Sequence, residues 1–217
     1  MIKTLSSSKF LIPAMAILAM LATSAGFYIS LKKSQQSTQA NPGIEGLFWP
    51  NPKQMNAFSM LDQNGESFGL TQLRGKWSFI FFGYTQCPDV CPITMAVMAD
   101  VYKQLALEDN NVQVIFTSVD PDRDTTEILF SYVSYFNEHF IGLGGSTDMV
   151  DSLTKQIGIA YYLNKEDNAD NYLVDHSASI FLFDPKARMV GKLSPPHQKD
   201  IIINQFKSIQ QFIDAQQ

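Results

Sequence analysis

The 217 residues are 45% hydrophobic, 12% aromatic and 17% charged, with 16 Lys and Arg against 21 Asp and Glu. This composition excludes disorder of the whole chain, and its two cysteines are too few for a disulfide-scaffolded mini-protein. The first 33 residues hold four lysines and no acid, so the rest carries 12 basic and 21 acidic side chains, an acidic body unsuited to nucleic acid because such binding depends on neutralising phosphates.

Residues 10–31 run for 22 positions without a charge, between Lys9 and the pair Lys32-Lys33. As a helix rising about 1.5 Å per residue, this stretch reaches about 33 Å, enough to cross a bilayer. A cleaved signal peptide competes, with Thr23-Ser24-Ala25 as a small-residue cleavage site. The apolar run continues through Phe27, Tyr28, Ile29 and Leu31, which favours a retained transmembrane anchor over residues 1–33. Lysines flank both ends, so the positive-inside rule sets orientation only weakly, and no cysteine follows the run to carry a lipid. Residues 34–46 are polar and lack periodicity, the composition of a flexible linker, and the folded domain is expected over 47–217.

In the domain, Asn64-Gly65 lies between short alternating segments over 58–68, a hairpin signal. Residues 77–82 are almost continuously apolar and aromatic, as a central strand covered on both faces requires. Helical spacing over 92–107 aligns Met95, Met98, Val101, Tyr102 and Leu105. A strand over 112–119, a helix over 125–137 and a short apolar segment over 140–143 follow. Ser146 or Thr147 is placed to cap a helix that ends near Gly158. The polar run 164–171 reads as an exposed loop. A hairpin over 180–193 turns at Asp184-Pro185, and a last helix covers 198–212. Buried strands alternating with amphipathic helices give a three-layer α/β domain.

The sharpest chemical signal is Cys87-Pro-Asp-Val-Cys91-Pro92, between the central strand and a helix. Reactive groups and ligands gather at such strand-to-helix junctions in α/β sheets. With Pro92 as the first helical residue, Cys91 falls near the N-cap, where the helix dipole favours a thiolate. Three readings stay open for the pair: inert buried cysteines, a redox dithiol, or two thiolates on one soft metal ion.

A metal needs at least one more ligand, and the chain has three histidines. His139 follows the helix over 125–137 and reads as exposed; His197 follows Ser-Pro-Pro and reads as a surface residue. His176 lies just ahead of the strand over 180–183, and a segment joining the sheet beside the first strand–helix turn would bring it to the sulfurs. Two thiolates and one imidazole suit Cu(I). Zinc wants a fourth ligand, for which Asp89 and Asp175 are the nearby candidates.

Three segments together, residues 81–92, 117–125 and 174–180, resemble the Sco/SenC family. Those are membrane-tethered, thioredoxin-like proteins that help to assemble the dinuclear copper centre of cytochrome c oxidase. The resemblance runs from about residue 58 to 193. It implies a thioredoxin-like domain behind the N-terminal transmembrane helix, with Cys87, Cys91 and His176 as copper ligands. It also implies the copper-bearing oxidase subunit as partner, and the absence of a long Arg-rich transit peptide favours a bacterial inner membrane, with the domain facing the periplasm, over a mitochondrial one. The loop from Asp120-Pro121 to Asp124 resembles a family signature, in which Arg123 and Asp124 are expected either to pair at the rim of the site or to form a helix-capping turn. Gly144 and Gln86 depart from common family residues without removing a ligand. Two functions are carried forward: a copper metallochaperone, and a thiol-disulfide reductase that keeps a copper-receiving protein reduced. A copper or redox sensor is a third. Outside the cytosol each requires a thiol reductant for the cysteine pair.

Overall fold

The computed structural model describes residues 20–21, 23–28, 43–48, 50–108, 111–165 and 172–216. The chain divides into two units, Met1–Pro42 and Gly43–Gln217. In the first, residues 20, 21 and 23–28 are helical; the rest of the expected anchor and linker up to residue 42, and 166–171 of the polar loop, lie outside the described residues.

The second unit is built on strand β4 (Trp77–Gly83), every residue of which is buried. The alternation of its side chains divides the core: Trp77, Phe79 and Phe81 face one cluster, and Ile80 and Phe82 the other. Ahead of β4 come β1 (Lys53–Gln54), the antiparallel pair β2 (Met60–Asp62) and β3 (Ser67–Phe68), and a single helical turn α1 (Leu70–Leu73). After it come α2 (Val90–Leu107), β5 (Val112–Ser118), α3 (Thr126–Phe136), β6 (Ile141–Gly144) and α4 (Thr147–Ile157). The chain closes with β7 (Tyr161–Asn164), β8 (Leu173–His176), β9 (Ile180–Phe183), β10 (Arg188–Leu193) and α5 (Lys199–Asp214).

The main sheet has the order β1-β10-β9-β4-β5-β6-β2-β3, and β7 and β8 form a separate two-stranded sheet. Strand β5 lies parallel to β4, from Trp77 opposite Val112 to Gly83 opposite Ser118. On the other side β9 is antiparallel to β4, with Ile180 opposite Phe81. The start of β9 therefore meets the exit of β4. This register carries residues just before 180 to the loop that holds the cysteines.

Helices α2, α3 and α5 cover one face of the sheet, where Met95, Leu129 and Phe206 share a cluster. Phe206 stands edge-on to Trp77 at 5.5 Å, and burying such a ring contributes about 1.5–3 kcal/mol. Helix α4 and the β7–β8 hairpin cover the other face through Val150, Leu153 and Val174. This is the three-layer, thioredoxin-like architecture expected. Thr125 and Ser146 accept hydrogen bonds from Ile128 and Met149 as N-caps, and Gly158 ends α4 in the left-handed region at φ 88°.

One expectation needs correction. Helix α2 begins at Val90 with Asp89 as its N-cap, so Pro92 is its third residue. Backbone N–H groups of the first turn lack intrahelical partners in any case, so proline is tolerated there. Among the described residues only α2 is long and apolar enough to cross a membrane, and its apolar side is packed in the core through Met95, Met98 and Leu105.

Candidate metal centre

The site lies where β4 ends. Its loop turns with Cys87 N–H donating to the Tyr84 carbonyl at 3.2 Å, leaving Cys87 half-buried and placing Cys91 in the first turn of α2, fully buried. Asp124, 3% exposed, fastens the loop to the end of β5. It accepts from the Thr85 N–H at 3.0 Å, from the Thr85 hydroxyl at 2.6 Å and from the Ser118 hydroxyl at 2.6 Å. Burial raises its carboxyl above the usual range, against the pull of these donors.

His176 arrives as the last residue of β8. Its Nε2 is 3.5 Å from Cys91 Sγ, and one donor atom each of Cys87, Cys91 and His176 all lie within 4.8 Å of one another. Nδ1 faces the Ser177 carbonyl at 3.1 Å; a carbonyl accepts only, so the ring proton sits on Nδ1 and the Nε2 lone pair faces the sulfur. Burial lowers the imidazole pKa below its ordinary value, which keeps the ring neutral. The rings of Phe81 and Tyr84 stand edge-on to it at 6.2 and 6.0 Å.

The expected helix-dipole activation of Cys91 is overturned. Burial pushes its thiol well above the ordinary range, with a hydrogen bond to Cys87 acting in the same direction. Desolvation of a fully buried sulfur outweighs the partial charge of a helix end. Both cysteines are free thiols.

The donor set fits a metal ion in both size and chemistry. Metal–ligand bonds of about 2.0–2.3 Å place three donors of a trigonal site about 3.5–4.0 Å apart, so the present arrangement, with its donors within 4.8 Å of one another, closes on one ion after a shift of about 1 Å. Two sulfurs and an imidazole are the ligands of a soft ion with low coordination number. No carboxylate joins the cluster among the described residues: Asp89 and Asp175 are exposed, and Asp175 is engaged by Asn164 at 2.9 Å.

The other polar residues sort differently from expectation. His139 is exposed beside Glu138, as anticipated. His197 is no surface residue: half-buried, it sets Nε2 2.7 Å from the Ala178 carbonyl, because the turn before α5 folds back over the segment that follows His176. Arg123 does not pair with Asp124. Its Nε reaches Asp120 Oδ2, while Asp124 faces the opposite way, into Thr85 and Ser118. Sequence reasoning missed Gly83, Tyr84 and Tyr172. A glycine that closes an apolar strand ahead of a cysteine loop is a signal of close approach; nothing in the spacing marks the two tyrosines.

The family described as SCO1/SenC matches residues 50–211. An SCO2-like protein of Rickettsia typhi is 36% identical over 157 residues, 71% of this chain and 77% of that protein. ScoI of Arabidopsis thaliana with copper bound superposes with a TM-score of 0.65 at 30% identity, over 70% of this chain and 98% of that one. BsSco, described as carrying a disulfide switch and as a member of the Sco family of cytochrome c oxidase assembly proteins, superposes with a TM-score of 0.58 at 25% identity, over 74% and 95% of the two chains.

Proposed function

The chain belongs to the SCO1/SenC family, and from that premise we propose that it is a copper metallochaperone. In this reading it binds Cu(I) through Cys87, Cys91 and His176 and delivers it to the dinuclear copper centre of cytochrome c oxidase during assembly. Residues 1–33 anchor it in a bacterial inner membrane, 34–46 form the tether, and 47–217 face the periplasm. The observation that carries the reading is the meeting of three soft-metal donors within 4.8 Å, two from the loop and helix that follow β4 and one from the separate β7–β8 hairpin.

The chain's own residues determine how the cargo is held and released. His176 is held neutral with Nε2 directed inward. Cys91 is buried and keeps its proton until the metal displaces it, so loading releases a proton. Cys87 is the half-buried sulfur and forms the outer side of the site. An incoming thiolate or imidazole of the oxidase subunit approaches the metal on that side, shares it, and takes it as Cys87 lets go.

A second reading has an observation in its favour, since two free thiols lie side by side. As a reductase, the Cys87 thiolate attacks a disulfide of the partner and expels one partner thiolate. Cys91 then displaces the other, leaving a Cys87–Cys91 disulfide that a thiol reductant must reopen. Cys91 has to lose its proton for that second step, because the thiolate is the nucleophile, just as it does to bind copper.

The discriminating experiment incubates the copper-loaded full chain in detergent with the apo copper-bearing oxidase subunit, its cysteines reduced beforehand. Delivery by the wild type and none by His176→Ala is expected. Equal activity of the two proteins, or an effect confined to an oxidised subunit, overturns the chaperone reading in favour of the reductase.

A further inference from the structure

The β7–β8 hairpin that carries His176 shares no hydrogen-bond ladder with the sheet that carries the cysteine loop. Beyond the short covalent link from His176 to β9, side chains therefore hold the hairpin against the sheet. One guanidinium sits where the cysteine loop, the turn after β5 and the base of β8 meet. Arg123 Nε reaches Asp120, and Nη1 donates to Gln86 Oε1 at 3.1 Å and to the Tyr172 carbonyl at 3.0 Å. Its Cζ lies over the Tyr172 ring, 3.6 Å from the ring centre, and 5.5 Å from that of Tyr84. The Tyr172 hydroxyl closes the knot on the second oxygen of Asp120.

Each partner bears on the donors. Gln86 immediately precedes Cys87. Tyr172 immediately precedes β8, a short rigid strand whose far end is His176, so a tilt at its base moves the imidazole at its tip. Tyr84 stands edge-on to His176 and meets the Val174 backbone in the middle of the strand. Asp120 is fully buried and the Arg123 side chain is 11% exposed. A buried ion pair is weak ground for stability, and Nη2 of Arg123 is buried with no hydrogen-bond partner, which costs stability further. The arrangement therefore favours placement over stability. Only a planar fork bridges two acceptors while stacking on a ring; a lysine satisfies Asp120 but cannot do the rest.

We propose that Arg123 is the positioning residue of the metal centre, clamping the His176 hairpin to the cysteine loop and so setting the distance between imidazole and thiolates. The inference rests on the copper reading for its consequence, and on geometry alone for the clamp.

The test uses the full chain in detergent with two readouts. Carbethoxylation of histidines in the metal-free protein, followed by mass spectrometry, reports access to His176, with the exposed His139 as internal reference. Competition titration reports Cu(I) affinity. Arg123→Lys and the paired variant Asp120→Asn/Arg123→Gln, which leaves no lone buried charge, are expected to raise His176 reactivity relative to His139. They are also expected to weaken Cu(I) binding roughly 10- to 100-fold, the usual effect of removing an outer partner of a ligand. Both should keep a cooperative melting transition. His176 reactivity unchanged in both variants overturns the clamp, as does rescue by lysine or loss of cooperative melting in the paired variant. A wild type that binds no copper sinks the copper reading and leaves the reactivity comparison to decide the clamp.

Discussion

Gly83 and Cys91 are in a close approach that only glycine allows: a Cβ added at Gly83 lies 2.8 Å from Cys91 Sγ and 2.8 Å from the Phe116 ring. The last residue of the central strand thus makes the space in which the buried sulfur sits. Gly83→Ala is expected to displace that sulfur and to cost about 1–3 kcal/mol through overpacking, read by urea denaturation. Cu(I) affinity should fall in parallel, and an unchanged affinity would show that the Cys91 position does not limit binding.

Cys91 and His176 contribute to the pH dependence of stability in the metal-free chain with opposite signs. Burial holds Cys91 protonated above its ordinary value of 9.0, whereas the unfolded chain ionises there. Its contribution is full below about pH 9 and declines as pH rises further. Burial lowers the His176 value from 6.5, so the unfolded chain takes up that proton first. Stability is full above about pH 6.5 and declines as pH falls through it. Urea midpoints measured between about pH 5 and pH 10 should therefore form a plateau with two falling limbs. Cys91→Ser should flatten the alkaline limb, and His176→Gln the acid one.

Copper loading should release at least one proton at neutral pH, because Cys91 enters the reaction as a thiol and leaves it as a thiolate. His176, already neutral, contributes none there. Calorimetric titration with Cu(I) in two buffers of different ionisation enthalpy measures the count. Zero released protons would remove Cys91 from the ligand set.

Asp124 is expected to support the cysteine loop rather than bind metal. Asp124→Ala strands the Thr85 N–H and the Ser118 hydroxyl; each buried donor left without a partner costs about 1–3 kcal/mol. Thermal melting should show a loss of that order. Asp124→Asn, which keeps an acceptor, should lose less.

The sequence foreshadowed most of this architecture where a local rule had a single outcome. The almost continuously apolar run of β4 has the composition of a central strand covered on both faces, and Ser146 and Gly158 marked helix ends through their own hydrogen-bonding or backbone chemistry. It was silent where the outcome depended on tertiary partners. Pro92 fits both the first and the third position of a helix, and only the placement of Asp89 decides between them. Strands β7 and β8 are four residues each and pair across a polar stretch that resembles a plain loop, so the sheet that delivers His176 was missed. Arg123 had an acidic neighbour in Asp124 and another at Asp120; the turn after β5 points the nearer one away. The dipole argument for Cys91 was sound locally and was outweighed by burial, a property of the folded core.

The central claim is that two sulfurs and one nitrogen of this chain hold a single monovalent copper. X-ray absorption at the copper edge, on the full chain loaded with one equivalent of Cu(I) under reducing conditions, tests it most directly. The account predicts two sulfur scatterers and one imidazole nitrogen at about 2.0–2.3 Å, the range of such bonds, with the nitrogen lost in His176→Ala. Two sulfurs with no nitrogen in the wild type would contradict it.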